Sequence, residues 1–244
     1  TDSAITVALD TSGTATEGTD YGSLSDITIS AGATTGTVSF TPTNDSIYDA
    51  TSNETAVIAI DGVSGKTGVA ENSTPQEETI TITDDESAPT VTLTSNSYTM
   101  AEDAGGYHTI RASLSVATYE DVTVSIDGTG GTATEGTDFG TVSDITITAG
   151  NTVGTTRFTA IDDSIYDATS NETAGISVSA VSGGGASENG TQAFTITITD
   201  NESAPTLTLS TSATSIAENA GTSLTVTATL SNGTYQDVTA ALGT

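Results

Sequence analysis

Phe194-Thr195-Ile196-Thr197-Ile198-Thr199 alternates apolar and polar residues without a break, and Asp144-Ile145-Thr146-Ile147-Thr148 does the same. A period of two sends every second side chain to one face, which is the mark of a strand with one buried side. Turn residues such as Ala149-Gly150-Asn151 and Gly183-Gly184-Gly185 separate the runs. Between about 88 and 203 the pattern predicts seven strands: 90–101 (A, broken), 107–117 (B), 121–127 (C), 143–148 (D), 153–161 (E), 173–182 (F) and 192–199 (G). Seven short strands with no helical periodicity predict an all-β fold, an immunoglobulin-like antiparallel sandwich of two sheets.

The pattern repeats. Gly13-Thr14-Ala15-Thr16-Glu17-Gly18-Thr19-Asp20-Tyr21 returns 118 positions on as Gly131-Thr132-Ala133-Thr134-Glu135-Gly136-Thr137-Asp138-Phe139. Thr81-Ile82-Thr83-Asp84-Asp85-Glu86-Ser87-Ala88-Pro89 returns 116 on as Thr197-Ile198-Thr199-Asp200-Asn201-Glu202-Ser203-Ala204-Pro205. Met100-Ala101-Glu102-Asp103-Ala104-Gly105 returns as Ile216-Ala217-Glu218-Asn219-Ala220-Gly221. Such spacing predicts tandem sandwiches joined at the Ser-Ala-Pro steps, which proline stiffens. On this division 1–87 is the C-terminal part of one repeat, 88–203 a whole repeat, and 204–244 the opening strands of another. Either the chain is a window on a longer tandem array, or the tail of one subunit completes the head of the next by strand donation.

Composition narrows the partners. Three Lys+Arg stand against 32 Asp+Glu, for a formal charge of −29, and only 34% of residues are hydrophobic. Nucleic acid needs a basic footprint that is missing, and an anionic membrane surface is disfavoured for the same reason. No apolar run is long enough for a membrane span. There is no cysteine, so thiol chemistry is excluded. Self-repulsion at this charge opposes a compact state unless cations neutralise it. An acidic, Lys-poor, Thr-rich chain that leans on cations fits an extracellular setting, secreted or cell-surface. Asn-x-Ser/Thr sequons at Asn44, Asn53, Asn171 and Asn189 are expected by chance in such a composition.

The charge is concentrated. Asp162-Asp163-Ser164-Ile165-Tyr166-Asp167-Ala168-Thr169-Ser170-Asn171-Glu172 holds four carboxylates in eleven residues, and nearly the same string runs from Asn44 to Glu54. Taken alone it fits a solvated acidic loop with Asp and Ser capping turns as well as it fits a Ca²⁺ site of hard oxygen ligands. Strand parity separates the two readings. In an up-and-down traverse the A–B, C–D and E–F connections share one pole, where strand G also ends. That pole collects Glu102 and Asp103, Glu135 and Asp138, Asp162, Asp163, Asp167 and Glu172, and Asp200 and Glu202. The opposite pole has Glu120, Asp121 and Glu188. So uneven a split predicts a site for several Ca²⁺ ions at the joint between repeats.

These residues bring a family into view. Tyr98-Thr99-Met100-Ala101-Glu102-Asp103, the Gly131–Phe139 string, Ile161-Asp162-Asp163 and Ile196-Thr197-Ile198-Thr199-Asp200-Asn201-Glu202 resemble, in order, the Calx-β domain, the Ca²⁺-binding sandwich of sodium–calcium exchangers that also recurs in bacterial surface proteins. The resemblance implies Glu102, Asp138, Asp162, Asp163 and Asp200 as metal ligands, with Glu172 in a loop that looks extended. Matching positions in the first repeat are Asp20, Asp45, Asp49, Glu54, Asp84 and Asp85, and Glu218 would belong to a third, unfinished site. Two departures stand out: Asn201 where the family usually has Asp, and Asn44 in place of the first Asp of the E–F pair. They imply unequal occupancy of the two sites.

Catalytic readings find little support. His108 lies inside a predicted strand with no constellation around it. A glycosidase pair needs a cleft, and few aromatics exist to line one. Lys66 has no counterpart in the second repeat, against a regular Lys–Asn crosslink, and Tyr48 and Tyr166 read as packing plugs for the acidic loop. The expectation is a non-enzymatic, Ca²⁺-rigidified extender of a fibre or adhesin, its partners being neighbouring repeats of its own chain or identical subunits. The alternatives are a self-assembling filament subunit and an adhesive module for a glycan or protein.

Overall fold

The computed structural model describes residues 2–50, 53–72, 76–167, 171–219 and 221–243. Ala168-Thr169-Ser170 of the acidic string, its counterparts Thr51-Ser52, and Ala220 lie outside the described residues. In chain order the strands are β1 Ile5–Gly13, β2 Ile27–Ile29, β3 Ile47–Tyr48, β4 Asn53–Ser64, β5 Glu77–Thr83, β6 Thr90–Ser95, β7 Thr99–Ala101, β8 His108–Leu114, β9 Ala117–Thr118 and β10 Val122–Gly131. They continue as β11 Ile145–Ile147, β12 Val153–Phe158, β13 Ile165–Tyr166, β14 Asn171–Ser182, β15 Ser187–Glu188, β16 Ala193–Thr199, β17 Leu207–Thr211, β18 Val226–Leu230 and β19 Gly233–Thr234. One helical turn occurs among the described residues, the 3₁₀ segment Glu102–Ala104. No described helix is long and apolar enough to cross a membrane.

Contacts divide the chain into two compact units: unit 1, Thr1–Pro89 with Val116–Glu120, and unit 2, Thr90–Ser115 with Asp121–Thr244. In unit 2 the sheets run β11-β10-β14-β16-β7 and β12-β8-β6-β15. Period-two alternation is realised as predicted: Val122 and Val124, Ile145 and Ile147, and Ile196 and Ile198 all turn into one core with Phe139 and Phe158. Strand A breaks after Ser95, where the Ser95 hydroxyl donates to the Ser97 carbonyl at 2.7 Å. The break lets one strand serve both sheets. β6 pairs antiparallel with β8, while β7 pairs parallel with β16, placing Met100 opposite Ile198. Strand C runs on to Gly131, beyond the predicted 127, because Gly130 packs on Gly175 where a Cβ would lie 3.2 Å from its Cα. Glycines carry no hydrophobic signal, so periodicity stops short of them.

Among the described residues, unit 1 has the four-stranded sheet β2-β1-β4-β5 and the two-stranded pair β3-β9. Among its described residues, a small buried cluster joins Ala15, Tyr21 and Ala56, packed by Leu24, Phe40 and Ile82. Here β5 is an edge with no described neighbour on its outer side. Within unit 2 the hairpin of β17 and β18 leaves Leu207, Leu209 and Val226 exposed.

Candidate functional site

Each acidic pole starts from a glycine. Gly131 has φ 98°, and a Cβ there would meet the Thr173 carbonyl oxygen at 2.0 Å; Gly13 repeats this with φ 114° and 2.0 Å to the Thr55 oxygen. Only glycine allows that approach, and it lets the Ala133 N–H reach the Thr173 carbonyl at 2.9 Å. The chain then folds back on Asp138, whose Oδ2 accepts the Thr134 N–H at 2.6 Å. Phe139 anchors the turn, buried and stacked on Phe158 at 5.2 Å between centroids. In unit 1 Asp20 accepts the Thr16 N–H at 2.6 Å, and Tyr21 stacks on Phe40 at 4.8 Å.

The E–F loop adds its carboxylates to that turn. Asp163 Oδ1 accepts the Ile165 N–H at 2.6 Å, an Asx turn that aims the carboxylate inward. Asp200 Oδ2 accepts the Asp167 N–H at 3.0 Å and its Oδ1 the Glu202 N–H at 3.1 Å, tying the end of strand G to the loop. Glu102 opens the 3₁₀ turn directly after β7, so the β7–β16 ladder delivers it to the same place. Glu102, Asp138, Asp163, Asp167, Glu172 and Asp200 thus surround one small cavity of about 20 Å³ in unit 2. One oxygen each from Glu102, Asp163 and Glu202 lie within 4.8 Å of one another. Asp162 does not line that cavity; its Oδ1 accepts the Asn201 side-chain N–H at 3.1 Å.

Electrostatics show the strain of this crowding. Three full negative charges so close repel strongly in a partly desolvated site. Burial, then a hydrogen bond with Glu202 and the charges of Glu202 and Asp200, push the Glu102 carboxyl up to about 8. Burial and the charges of Asp138 and Asp167 push Glu172 up to about 7. Among the described residues no Lys or Arg forms an ion pair with these carboxylates; the described ion pair joins Lys66 to Asp2. With both groups ionised, Glu102 Oε1 and Glu202 Oε2 are buried with no hydrogen-bond donor. Buried oxygens left unpaired inside a set of hard carboxylate donors fit a divalent cation such as Ca²⁺.

Unit 1 shows the same loops with a different shell. Asp20, Asp45, Asp49, Glu54, Asp84 and Asp85 all line a cavity of about 660 Å³, with Phe40, Ile80 and Ile82 as its apolar wall. Asp45 Oδ1 accepts the Ile47 N–H at 2.8 Å, and Asp84 Oδ2 the Asp49 N–H at 3.1 Å. Glu54 is raised by burial and the charges of Asp20 and Asp49. Glu86 joins Asp84 and Asp85 within 4.8 Å, a third carboxylate that sequence reasoning did not single out. Asp103 and Glu135 line neither cavity, and Glu218 is exposed and lines neither.

Two tyrosines were also missed. The Tyr235 hydroxyl donates to Asp163 Oδ2 at 2.6 Å, and the Tyr119 hydroxyl donates to Asp45 Oδ2 at 2.6 Å within unit 1. These bonds to carboxylates are the main cause pushing both phenols up to about 12, so both stay donors. Their signal was the recurrence of Ala117-Thr118-Tyr119 as Gly233-Thr234-Tyr235, 116 positions apart. Tyr48 and Tyr166 are half-buried in β3 and β13. His108 donates from Nε2 to the Thr99 carbonyl at 2.7 Å, bracing β7.

Three comparisons bear on this geometry. A family model described as the Calx-beta domain matches residues 1–86 and 84–202. No curated protein sequence matches the chain significantly. Among solved structures the chain is similar to the apo-form Calx CBD1 domain, at 22% identity over 46% of this chain and 99% of that one, with a TM-score of 0.39. It is similar also to CBD12 from CALX1.2, at 17% identity over 74% of this chain and 69% of that one, TM-score 0.34. A structure described as calcium binding domain CBD12 of CALX1.1 aligns at 15% identity over the same shares, TM-score 0.29.

Proposed function

From the premise that this chain belongs to the Calx-beta family, we propose that it is a Ca²⁺-binding structural module, a rigidifying element of a secreted or cell-surface fibre. The observation that carries the reading is the pair of buried, unpartnered oxygens on Glu102 and Glu202. They face a cluster that no Lys or Arg pairs with among the described residues. Ca²⁺ accepts six to eight oxygens in irregular geometry, and Glu102, Asp138, Asp163, Asp167, Glu172, Asp200 and Glu202 supply them. Asp162 offers a further carboxylate beside Asn201. The corresponding carboxylates of unit 1 form a second pole. Bound Ca²⁺ supplies the positive charge that lets these carboxylates lose their protons and stay together. Each E–F loop and strand end is then held in one arrangement, and a tandem array built of such joints stiffens.

Calorimetric unfolding of the chain tests this, in roughly 5–10 mM Ca²⁺ to exceed the range expected of extracellular modules, in EDTA, and in Mg²⁺. A Ca²⁺-specific rise in Tm that is lost in Asp163→Asn supports the site. Equal melting in all three solutions would make the poles solvated acidic surfaces. Small-angle scattering then tests stiffening: the spread of interatomic distances narrows with Ca²⁺ if the array is rigidified.

A further inference from the structure

The 231–236 turn approaches the acidic pole in a way that the Ca²⁺ reading does not use. β19 pairs in parallel with β13, Gly233 opposite Ile165 and Thr234 opposite Tyr166, which sets the turn alongside the E–F loop. The Gln236 N–H donates to the Thr234 hydroxyl at 3.2 Å, shaping the turn. Tyr235 then reaches Asp163 with its hydroxyl while its ring stays 59% exposed. The arrangement occurs twice. In unit 1, β9 pairs in parallel with β3, Thr118 shapes the turn by accepting the Glu120 N–H at 3.1 Å, and Tyr119 reaches Asp45. A contact made twice, at separate sites and with the same atoms, is not an accident of one loop.

Each Asp163 oxygen thereby accepts one hydrogen bond, Oδ1 from Ile165 and Oδ2 from Tyr235. A carboxylate oxygen has capacity for more, so both can still face a cation. What the two donors remove is rotation of the carboxylate away from its repelling neighbours Glu102 and Glu202. We propose that Tyr235, and Tyr119 in its own pole, is a positioning residue for the cation site, contributed by the turn that carries β19 and, for Tyr119, by the turn that carries β9. This rests on the Ca²⁺ reading above. Its consequence is linkage: a docked turn raises cation affinity, and a bound cation holds the turn docked by the same factor.

Hydrogen exchange of the whole chain across a Ca²⁺ titration tests it, followed by mass spectrometry at peptides covering Ile165–Asp167, Gly233–Gln236 and Ile47–Asp49. In the unaltered chain the first two peptides gain protection together. Tyr235→Phe keeps the exposed ring and loses only the hydroxyl. It should raise the half-saturating Ca²⁺ concentration at Ile165–Asp167 about tenfold, the low end for partners that orient metal ligands. Protection at Ile47–Asp49 should stay unchanged, and Tyr119→Phe should do the reverse. A Tyr235→Phe chain that titrates like the unaltered one, or shifts both poles alike, overturns the positioning role and leaves the Ca²⁺ site standing. No Ca²⁺-dependent protection in the unaltered chain overturns both.

Discussion

The poles of units 1 and 2 carry nearly the same acidic loops, yet one opens on a cavity of about 660 Å³ and the other closes on about 20 Å³. The loops themselves do not explain this, because Asp20 and Asp138, or Asp45 and Asp163, are held by equivalent hydrogen bonds. The difference is β7. In unit 2 it lies along β16, buries Met100 against the core and brings in Glu102. In unit 1 the matching edge, β5, has no such neighbour among the described residues, and Ile80 and Ile82 line the cavity wall instead. Acidic loops supply charge; the added strand supplies the enclosure that makes the charge costly. Burial is the first cause that pushes Glu102 up to about 8.

The comparison can be broken most forcefully at Met100. Met100→Ala removes a side chain only 5% exposed and leaves space behind β7. The expected loss is about 2–5 kcal/mol of unit 2 stability, read by urea denaturation, with unit 1 unchanged. An unaltered midpoint would show that β7 does not enclose the pole. Next in size is the cation itself. At a hundredfold excess over Kd each ion adds about 2.7 kcal/mol, or roughly 10–20 °C in the Tm of a repeat this size. Calorimetry should show the larger Ca²⁺ shift in unit 2, where the ligands are enclosed. Equal shifts in both transitions would mean that enclosure contributes nothing to affinity.

A smaller effect lies in pH. Glu102 rises from 4.5 to about 8 and Glu172 from 4.5 to about 7 on folding, so the folded chain favours their protonated forms. Stability from these groups is fully present below about pH 4.5 and is lost as pH climbs through 7 and 8. In EDTA the Tm of unit 2 should therefore fall by several degrees between those limits. In saturating Ca²⁺ the cation replaces the protons and the slope should flatten. A Ca²⁺-free Tm that rises over that window would contradict the enclosure of Glu102.

Much of this architecture was legible in the sequence. Alternation in 192–199 and 143–148 marks β16 and β11, because each buries one face against the core. The parity argument gathered Glu102, Asp138, Asp163, Asp167, Glu172 and Asp200 from four distant segments, and the structure sets them around one cavity. What escaped was whatever lacks a period. β13, β15 and β19 are two residues long, too short to alternate. Tyr119 and Tyr235 drew no notice, since no rule of pattern says which partner a loop tip will meet. Likewise β7 reads as a continuation of strand A, and only packing reveals that it crosses to the other sheet.

The finest test concerns two asparagines. Asn201 in unit 2 and Asn44 in unit 1 fall at different places in the pattern, yet each is matched by an Asp at the other place: Asp162 with Asn201, and Asn44 with Asp85. Both poles therefore carry one charge and one amide across this pair, in exchanged order. In unit 2 the reason is visible, because the Asn201 amide donates to Asp162 at 3.1 Å and partly satisfies it without a cation. Asn201→Asp replaces that donor with a second carboxylate. The lost hydrogen bond is worth about 1 kcal/mol, a fall of roughly 4–8 °C in EDTA, while the added ligand charge should tighten Ca²⁺ binding. Adding Asp162→Asn recreates the order found in unit 1 and should restore the Ca²⁺-free Tm. If the double variant melts as low as the single one, the exchange is a coincidence of two loops, and the charge balance across the pair does not set how each pole survives without its ion.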